Sequence, residues 1–253
     1  MLKRKIVAGN WKMNLSVDEG VALVSAIMQH LNAQNGIKTE VILAPPFLHL
    51  LTIRNLVAPS SIQLAAQNCS DRVSGAFTGE VSVAMLADAG INNVIIGHSE
   101  RRIYFHESNT SLKEKVDIAL EYGVTPIFCC GEPKAVRIDE KEERFVFQQI
   151  EESLFHLSEE QISKVIIAYE PVWAIGTGLT ATPEQAEAMH AYIRNELTHR
   201  YNSSVADTIP ILYGGSVNAV NAKLLFSKPN VDGGLVGGAS LKADDFFQII
   251  LAA

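Results

Sequence analysis

The chain has 253 residues, of which 47% are hydrophobic and 19% are charged. These proportions exclude an intrinsically disordered chain and a collagen-like one, and the length fits one large domain as well as two small ones. The formal net charge is −7, and an acidic surface repels phosphate groups. Nucleic acid and anionic membrane are therefore poor candidates for the main partner.

The cysteines predict a reducing, cytoplasmic environment. Cys69, Cys129 and Cys130 are odd in number, and their spacing fits neither a disulfide framework nor a CxxC metal or redox motif. The apolar stretch behind the basic residues Lys3 to Lys5 is too short for the core of a signal peptide.

Eight short apolar runs with turn residues at their ends are typical of β-strands. Consecutive runs are separated by more chain than a hairpin needs, which favours parallel neighbours joined by helical crossovers of about a dozen residues or more. The runs span residues 5–12, 39–44, 62–68, 93–98, 125–130, 164–170, 209–213 and 231–236.

The segments between the runs carry helix signals. Ser16 and Glu19 have the spacing of a capping box, and Thr182 with Gln185 repeats it before a second helix. That second helix shows a buried stripe, beside which His190 is expected to lie at the surface. The stripe consists of Ala186, Met189, Ile193 and Leu197.

Alternating strands and helices without a linker predict an α/β fold, namely a closed eight-stranded parallel (β/α)8 barrel that forms one domain over residues 1–253. The alternative is an open, doubly wound parallel sheet. In a barrel the active site lies at the carboxyl ends of the strands, so the polar residues that close each run are the candidates for function.

The first run ends with Asn10 and Lys12, which strand alternation places on the same face as Ile6 and Ala8. An inward lysine beside an asparagine favours contact with an anion or an oxyanion. The alternative is a lysine with a solvated charge.

The fourth run ends with His98, and alternation places it on the same face as Val94 and Ile96. The sequence Ser99-Glu100-Arg101-Arg102 follows directly, and its backbone donors and charges can hold a neutral imidazole. The alternative is a hydrogen-bonded core histidine without a catalytic role.

The sixth run ends with Glu170, whose face partners Ile166 and Ala168 are apolar. A carboxylate at a barrel mouth is suited to act as a general base, although a structural pair with an arginine is the alternative. Residues 171–181 come next, with Gly176 and Gly178 in the middle, and this pattern indicates a lid with a hinge at each end.

The last two runs end in glycine-rich segments, Tyr213-Gly214-Gly215-Ser216 and Val236-Gly237-Gly238. Glycines let the backbone approach a ligand, and barrels commonly bind phosphate after strands seven and eight. One base, one neutral acid, one cation and a phosphate cradle together suit proton transfer next to a carbonyl. A P-loop lysine, a GxSxG motif and an HExxH motif are all absent from the sequence.

Five strings in order and spacing resemble the triosephosphate isomerase family, whose fold is a TIM barrel, along essentially the whole chain. They are GNWKMN at 9–14, GHSERR at 97–102, AYEPVWAIGTG at 168–178, YGGSV at 213–217 and VGGASL at 236–241.

The resemblance implies interconversion of dihydroxyacetone phosphate and glyceraldehyde 3-phosphate, with roles that are well known for this family. Glu170 would move the carbon-bound proton, His98 would polarise the carbonyl as neutral imidazole, and Lys12 would stabilise negative charge. It further implies neither a metal ion nor an organic cofactor. The remaining implied site residues are Asn10 at the reacting oxygen, Glu100 in support, and Gly176, Ser216, Gly237 and Gly238 at the phosphate.

The resemblance also implies a homodimer, because residues 67–80 are similar to a loop that inserts into a partner subunit, with Thr78 reaching the partner's site. The alternative is a mobile surface loop. Two residues depart from the family pattern. Leu179 replaces a common lysine and Cys130 replaces an aliphatic residue, and we expect effects on hinge packing and oxidation.

Two other functions fit the same barrel. A different sugar-phosphate isomerase should not need Lys12, His98 and Glu170 together, and a catalytically inactive binding or scaffold protein should have lost Glu170 or His98. All three residues are present.

Overall fold

The fold is a closed barrel of parallel strands surrounded by helices. The computed structural model describes residues 4–176 and 180–253, and within them eight strands and twelve α-helices follow one another along the chain. The strands are β1 (Ile6–Asn10), β2 (Glu40–Ala44), β3 (Gln63–Ala66), β4 (Asn93–Ile96), β5 (Thr125–Cys130), β6 (Ile166–Tyr169), β7 (Ile211–Tyr213) and β8 (Gly233–Val236).

The helices cover the outside of this barrel. They are α1 (Val17–Ala33), α2 (Phe47–Val57), α3 (Val83–Asp88), α4 (Ser99–Tyr104), α5 (Asn109–Glu121), α6 (Lys134–Ile138), α7 (Glu142–Leu154), α8 (Glu159–Ile162), α9 (Pro183–Arg200), α10 (Ser203–Ala206), α11 (Ala222–Phe226) and α12 (Ala243–Leu251). Short 3-10 turns occur at Val172–Ala174 and Gly238–Leu241. No helix in the described part of the chain is long and apolar enough to cross a membrane.

Each strand pairs in parallel with the next, and β8 pairs in parallel with β1. This closure confirms the predicted (β/α)8 barrel and rules out the open sheet. Because parallel strands all run in the same direction around the barrel, their carboxyl ends form one rim.

The two predicted capping boxes are present. Ser16 caps α1 and accepts from the Glu19 amide, while the Glu19 carboxylate accepts from the Ser16 amide at 2.7 Å. Thr182 and Gln185 make the same reciprocal pair at the start of α9. Each box satisfies two helix-end polar groups that would otherwise lack an intrahelical partner.

The strands bury both faces in separate apolar clusters. One cluster lies between strands and helices, and the other contains alternate strand residues only and fills the barrel interior. The interior residues are Ile6, Ala8, Ile42, Ala44, Ala65, Ile95, Ile127, Cys129, Ile166, Ala168, Leu212 and Leu235.

The prediction that His190 lies at the surface is wrong. His190 is fully buried, its Nδ1 lies 3.2 Å from the Asn230 carbonyl oxygen, and its ring packs on Tyr169 and Tyr213. The helix buries a wider face than its apolar stripe indicates, because polar groups on that face find partners inside the protein. Arg194, one turn later, is likewise buried and pairs with Asp232.

We expect His190 to make stability depend on pH. Burial lowers its pKa to about 3 in the folded protein, against about 6.5 in the unfolded chain. The contribution of neutral His190 to the free energy of unfolding is fully present above about pH 6.5. It is lost as the pH falls, because only the unfolded chain then binds the proton. Below that pH the unfolding free energy should decrease by an extra ~1.4 kcal/mol per pH unit.

Urea unfolding between pH 7.5 and 5, at constant protein concentration, measures this effect. The wild type should lose stability more steeply than His190→Gln. His199→Gln, at an exposed position on the same helix, should keep the wild-type slope. Equal slopes for the wild type and His190→Gln would contradict this account.

Candidate active site

The carboxyl ends of the strands open into a cavity of about 500 Å³. Glu100 does not line this cavity but pairs with Lys12, which does, and Thr78 lies on the exposed loop after β3 without lining it. The predicted site residues that do line it are Asn10, Lys12, His98, Glu170, Gly176, Ser216, Gly237 and Gly238.

His98 reaches the cavity by a route that strand alternation does not predict. Ile95 is the interior residue of β4, whereas Val94 and Ile96 pack against the helices, so the predicted face for His98 is wrong. The strand ends at Ile96, and Gly97 adopts a φ of 74°, a left-handed conformation that favours glycine. This turn resets the direction of the next side chain and brings His98 inward.

The imidazole of His98 is held as one neutral tautomer. His98 caps α4, and its Nδ1 accepts a hydrogen bond from the Glu100 amide at 3.2 Å. A backbone amide only donates, so Nδ1 carries no proton and the ring hydrogen is assigned to Nε2. Nε2 lies 3.0 Å from Glu170 Oε1.

Glu170 follows β6 and is 2% exposed. Ile166 and Ala168 belong to the interior cluster, as the sequence predicts for its face partners. The second carboxylate oxygen, Oε2, accepts from the Ser99 amide at 2.9 Å. Both oxygens are therefore hydrogen bonded, which compensates for burying the carboxylate.

Lys12 lies two residues beyond the end of β1, with a φ of 54°. Its amide donates to Asn10 Oδ1 at 3.0 Å, and Gln67 Nε2 donates to its carbonyl oxygen at 2.8 Å. Its Nζ lies 2.5 Å from Glu100 Oε1. The first two contacts fix the backbone of Lys12, and the third holds its ammonium group, while Lys12 itself lines the cavity.

The glycines after β8 lie close to this cation. A Cβ atom added to Gly237 would be 3.8 Å from Lys12 Cε, and Gly238 begins the 3-10 turn that follows. Ser216 lies after β7 on the same cavity wall. A cation with nearby exposed backbone suits a phosphate group.

The start of the predicted lid is anchored to a buried acid. Trp173 Nε1 and the Tyr169 hydroxyl donate to Glu132 Oε1 at 2.7 and 3.1 Å. Burial raises the pKa of Glu132, although these two hydrogen bonds oppose the shift. Residues 177–179 lie outside the described residues, and with them the prediction about Leu179.

The second departure from the family pattern lies in the core. Cys130 is buried, and burial raises the pKa of its thiol to about 12. A thiol that stays protonated is a poor nucleophile, so its surroundings argue against oxidation at Cys130.

Two supporting residues were missed by the sequence reasoning. Gln67, which holds Lys12, directly follows β3, and Glu132, which anchors the lid, comes two residues after β5. Their position just beyond strand ends is the signal that points to them. Within the described ranges, no group of three His, Cys, Asp or Glu side chains is arranged to hold a metal ion.

Comparison with known proteins identifies the family. The sequence model of a family described as "Triosephosphate isomerase" matches residues 5–253. The triosephosphate isomerase of Porphyromonas gingivalis is 52% identical over 251 residues, which cover 99% of this chain and 100% of that protein. Proteins of the same name from Bacteroides fragilis and Cytophaga hutchinsonii are 50% and 48% identical, with 98% of both chains covered in each case. The chain belongs to the triosephosphate isomerase family.

Proposed function

We propose that this protein interconverts dihydroxyacetone phosphate and D-glyceraldehyde 3-phosphate through an enediol(ate), as a step of glycolysis and gluconeogenesis. The observation that carries the proposal is the 3.0 Å contact of Glu170 with a neutral His98, in a cavity that also contains Lys12. We further propose a cytoplasmic location, which is supported by three unpaired, buried cysteines.

Glu170 is the general base. It takes the proton from the hydroxyl-bearing carbon of dihydroxyacetone phosphate and returns it to the former carbonyl carbon. Each carboxylate oxygen accepts one hydrogen bond in this structure, and each keeps a further lone pair that can receive the carbon-bound proton.

His98 is the neutral acid. Its Nε2 hydrogen can be donated to the carbonyl oxygen, and the ring can then move protons between the two oxygens of the enediol(ate). The Glu100 amide on Nδ1 keeps that tautomer in place. Asn10 adds a hydrogen bond at the reacting oxygen, and Lys12 stabilises the negative charge that develops there.

Local groups must bind the substrate phosphate, because the net charge of −7 opposes an anion at long range. Lys12 supplies the positive charge, and the other residues proposed to bind the phosphate also line the cavity, namely Gly176, Ser216, Gly237 and Gly238. Closure of the lid at 171–181 would exclude water and protect the intermediate.

We expect Glu170→Ala to reduce turnover by about 10² to 10⁴-fold, as is usual for the loss of a general base. A coupled assay in both directions, with and without a chelator, measures the loss, and circular dichroism checks that the fold is intact. Glu121→Ala, at an exposed position on α5, should keep wild-type turnover. Turnover near wild type in Glu170→Ala would overturn the proposal.

Glu170 depends on close backbone packing against β5. Its amide donates to the Cys130 carbonyl oxygen at 2.7 Å, and Gly131 lies directly against it. A Cβ atom added to Gly131 would lie 1.7 Å from the Glu170 carbonyl oxygen. Gln149 holds Gly131 in this place by accepting from its amide at 2.8 Å.

We therefore expect Gly131→Ala to displace Glu170 and lower kcat by about 10²-fold, because a shift of roughly 1 Å in a reacting group costs that much. Steady-state kinetics of the purified variant provide the test. As a control, Gly123→Ala introduces backbone strain without a steric clash and should leave kcat unchanged. A fully active Gly131→Ala enzyme would show that the contact is not needed.

The loop at 67–80 supports a homodimer in which Thr78 reaches the partner's active site. Residues 74–80 are exposed, and Phe77 is 46% exposed. Segments after β1, β2, β3 and β4 share one side of the barrel, and all four carry exposed apolar side chains. These are Met13, Leu48, Leu51, Met85, Ile103, Tyr104 and Phe105. An exposed apolar surface of this kind marks an interface between proteins.

We expect Phe77→Glu to shift the protein towards monomers and to lower activity, because a charge at the interface must lose its hydration. Sedimentation velocity at micromolar concentration measures the shift. Leu251→Glu, at a similarly exposed apolar position on α12, should leave the assembly unchanged. A wild-type sedimentation coefficient for Phe77→Glu would contradict this interface.

A further inference from the structure

The left-handed turn that brings His98 into the cavity is held by an arginine on the following helix. Arg102 Nε donates to the Gly97 carbonyl oxygen at 2.8 Å, and its NH2 group donates to the Cys129 carbonyl oxygen at 2.9 Å. One planar guanidinium thus connects the turn after β4 to the end of β5.

The same end of β5 also holds the other partner of the catalytic pair. The Cys130 carbonyl oxygen accepts the Glu170 amide at 2.7 Å, one residue after the carbonyl that Arg102 binds. The end of β5 therefore helps to position both side chains. Glu170 is attached to it directly, and His98 is attached to it through Arg102 and Gly97.

The surroundings of Arg102 are unusual for a structural cation. Arg102 is partly buried, and burial lowers the pKa of its guanidinium. Within residues 4–176 and 180–253, no carboxylate lies within 4.0 Å of the guanidinium nitrogens. The third neutral acceptor is Asn109 Oδ1, at 2.7 Å from NH1. A desolvated cation whose hydrogen-bond acceptors are all neutral is a poor source of stability, so its fixed geometry is the more important property.

We infer that Arg102 is a positioning residue that sets the orientation of His98 and its distance from Glu170. The inference rests on the proposed function of these two residues. Arginine suits the role because its rigid fork reaches two carbonyl groups at once, whereas the ammonium of a lysine is a compact point charge on a flexible stem. Gly97 and Arg102 thus act together, since the turn at Gly97 sets the direction of the His98 side chain but not the distance between His98 and Glu170.

Arg102→Lys provides the first test. We expect kcat to fall by about 10 to 10²-fold, while KM stays close to wild type because the proposed phosphate contacts are unchanged. The ¹⁵N chemical shifts of the His98 ring should move away from a single neutral tautomer. Asn109→Ala removes the third acceptor and leaves the Gly97 and Cys129 contacts in place, so it should keep both kcat and the shifts.

The nitrogen shifts need no turnover, so the inference can fail separately from the proposed isomerase activity. Wild-type kcat and unchanged His98 shifts in Arg102→Lys would overturn the inference. An equal loss of kcat and of stability in Arg102→Lys and Asn109→Ala would also overturn it, because Arg102 would then serve only the general packing.

Arg102→Ala with added guanidinium provides a second test, which does not depend on how the Arg102→Lys variant behaves. A cavity of about 150 Å³ lies beside the guanidinium and is lined by Ser99, Gly131, Gln149 and Glu170 among others, which gives a small cation a route to the vacated place. We expect guanidinium chloride at low millimolar concentration to restore part of kcat and the neutral-tautomer shifts, whereas sodium chloride should not. No difference between the two salts would count against the inference.

Discussion

The distance between His98 and Glu170 depends on the register of three neighbouring strands. The two residues follow β4 and β6, and β5 lies between those strands, with Ile96 paired to Phe128 and Cys130 paired to Tyr169. A slip of one residue in either pairing would turn an interior position outward and separate the two side chains. The closed barrel prevents such slips, because every strand is fixed on both sides and the interior cluster locks their faces. The chemistry therefore depends on hydrogen bonds that lie outside the cavity.

The cavity contains a cation, Lys12, although the whole chain carries a net charge of −7. Lys12 pairs with Glu100 in this structure, but both side chains are partly exposed, so the pair contributes little to stability. A weak pair leaves the ammonium group available to an incoming anion. Glu100 has two separate contacts at this place, since its carboxylate binds Lys12 and its amide fixes the tautomer of His98.

Local patterns predicted much of this molecule. Strand alternation and capping boxes act over a few residues, and so the eight strands, the first residues of α1 and α9 and the inward face of Glu170 follow from the sequence. Two predictions failed, for different reasons. Strand alternation assumes extended backbone up to His98, whereas Gly97, directly before it, adopts a left-handed conformation that changes the direction of the next side chain. His190 is buried because the Asn230 carbonyl and two tyrosine rings surround it, and these groups are too distant in the chain to be visible in a window of neighbouring residues.

The separation of the apolar interior into two clusters has a consequence for how such a protein can change over evolutionary time. The side chains inside the barrel make their own core, apart from the cluster under the helices. Segments at the rim can therefore gain, lose or exchange residues without disturbing the packing that closes the sheet. Selection can act on substrate choice and on folding almost independently, which makes this architecture tolerant of new activities.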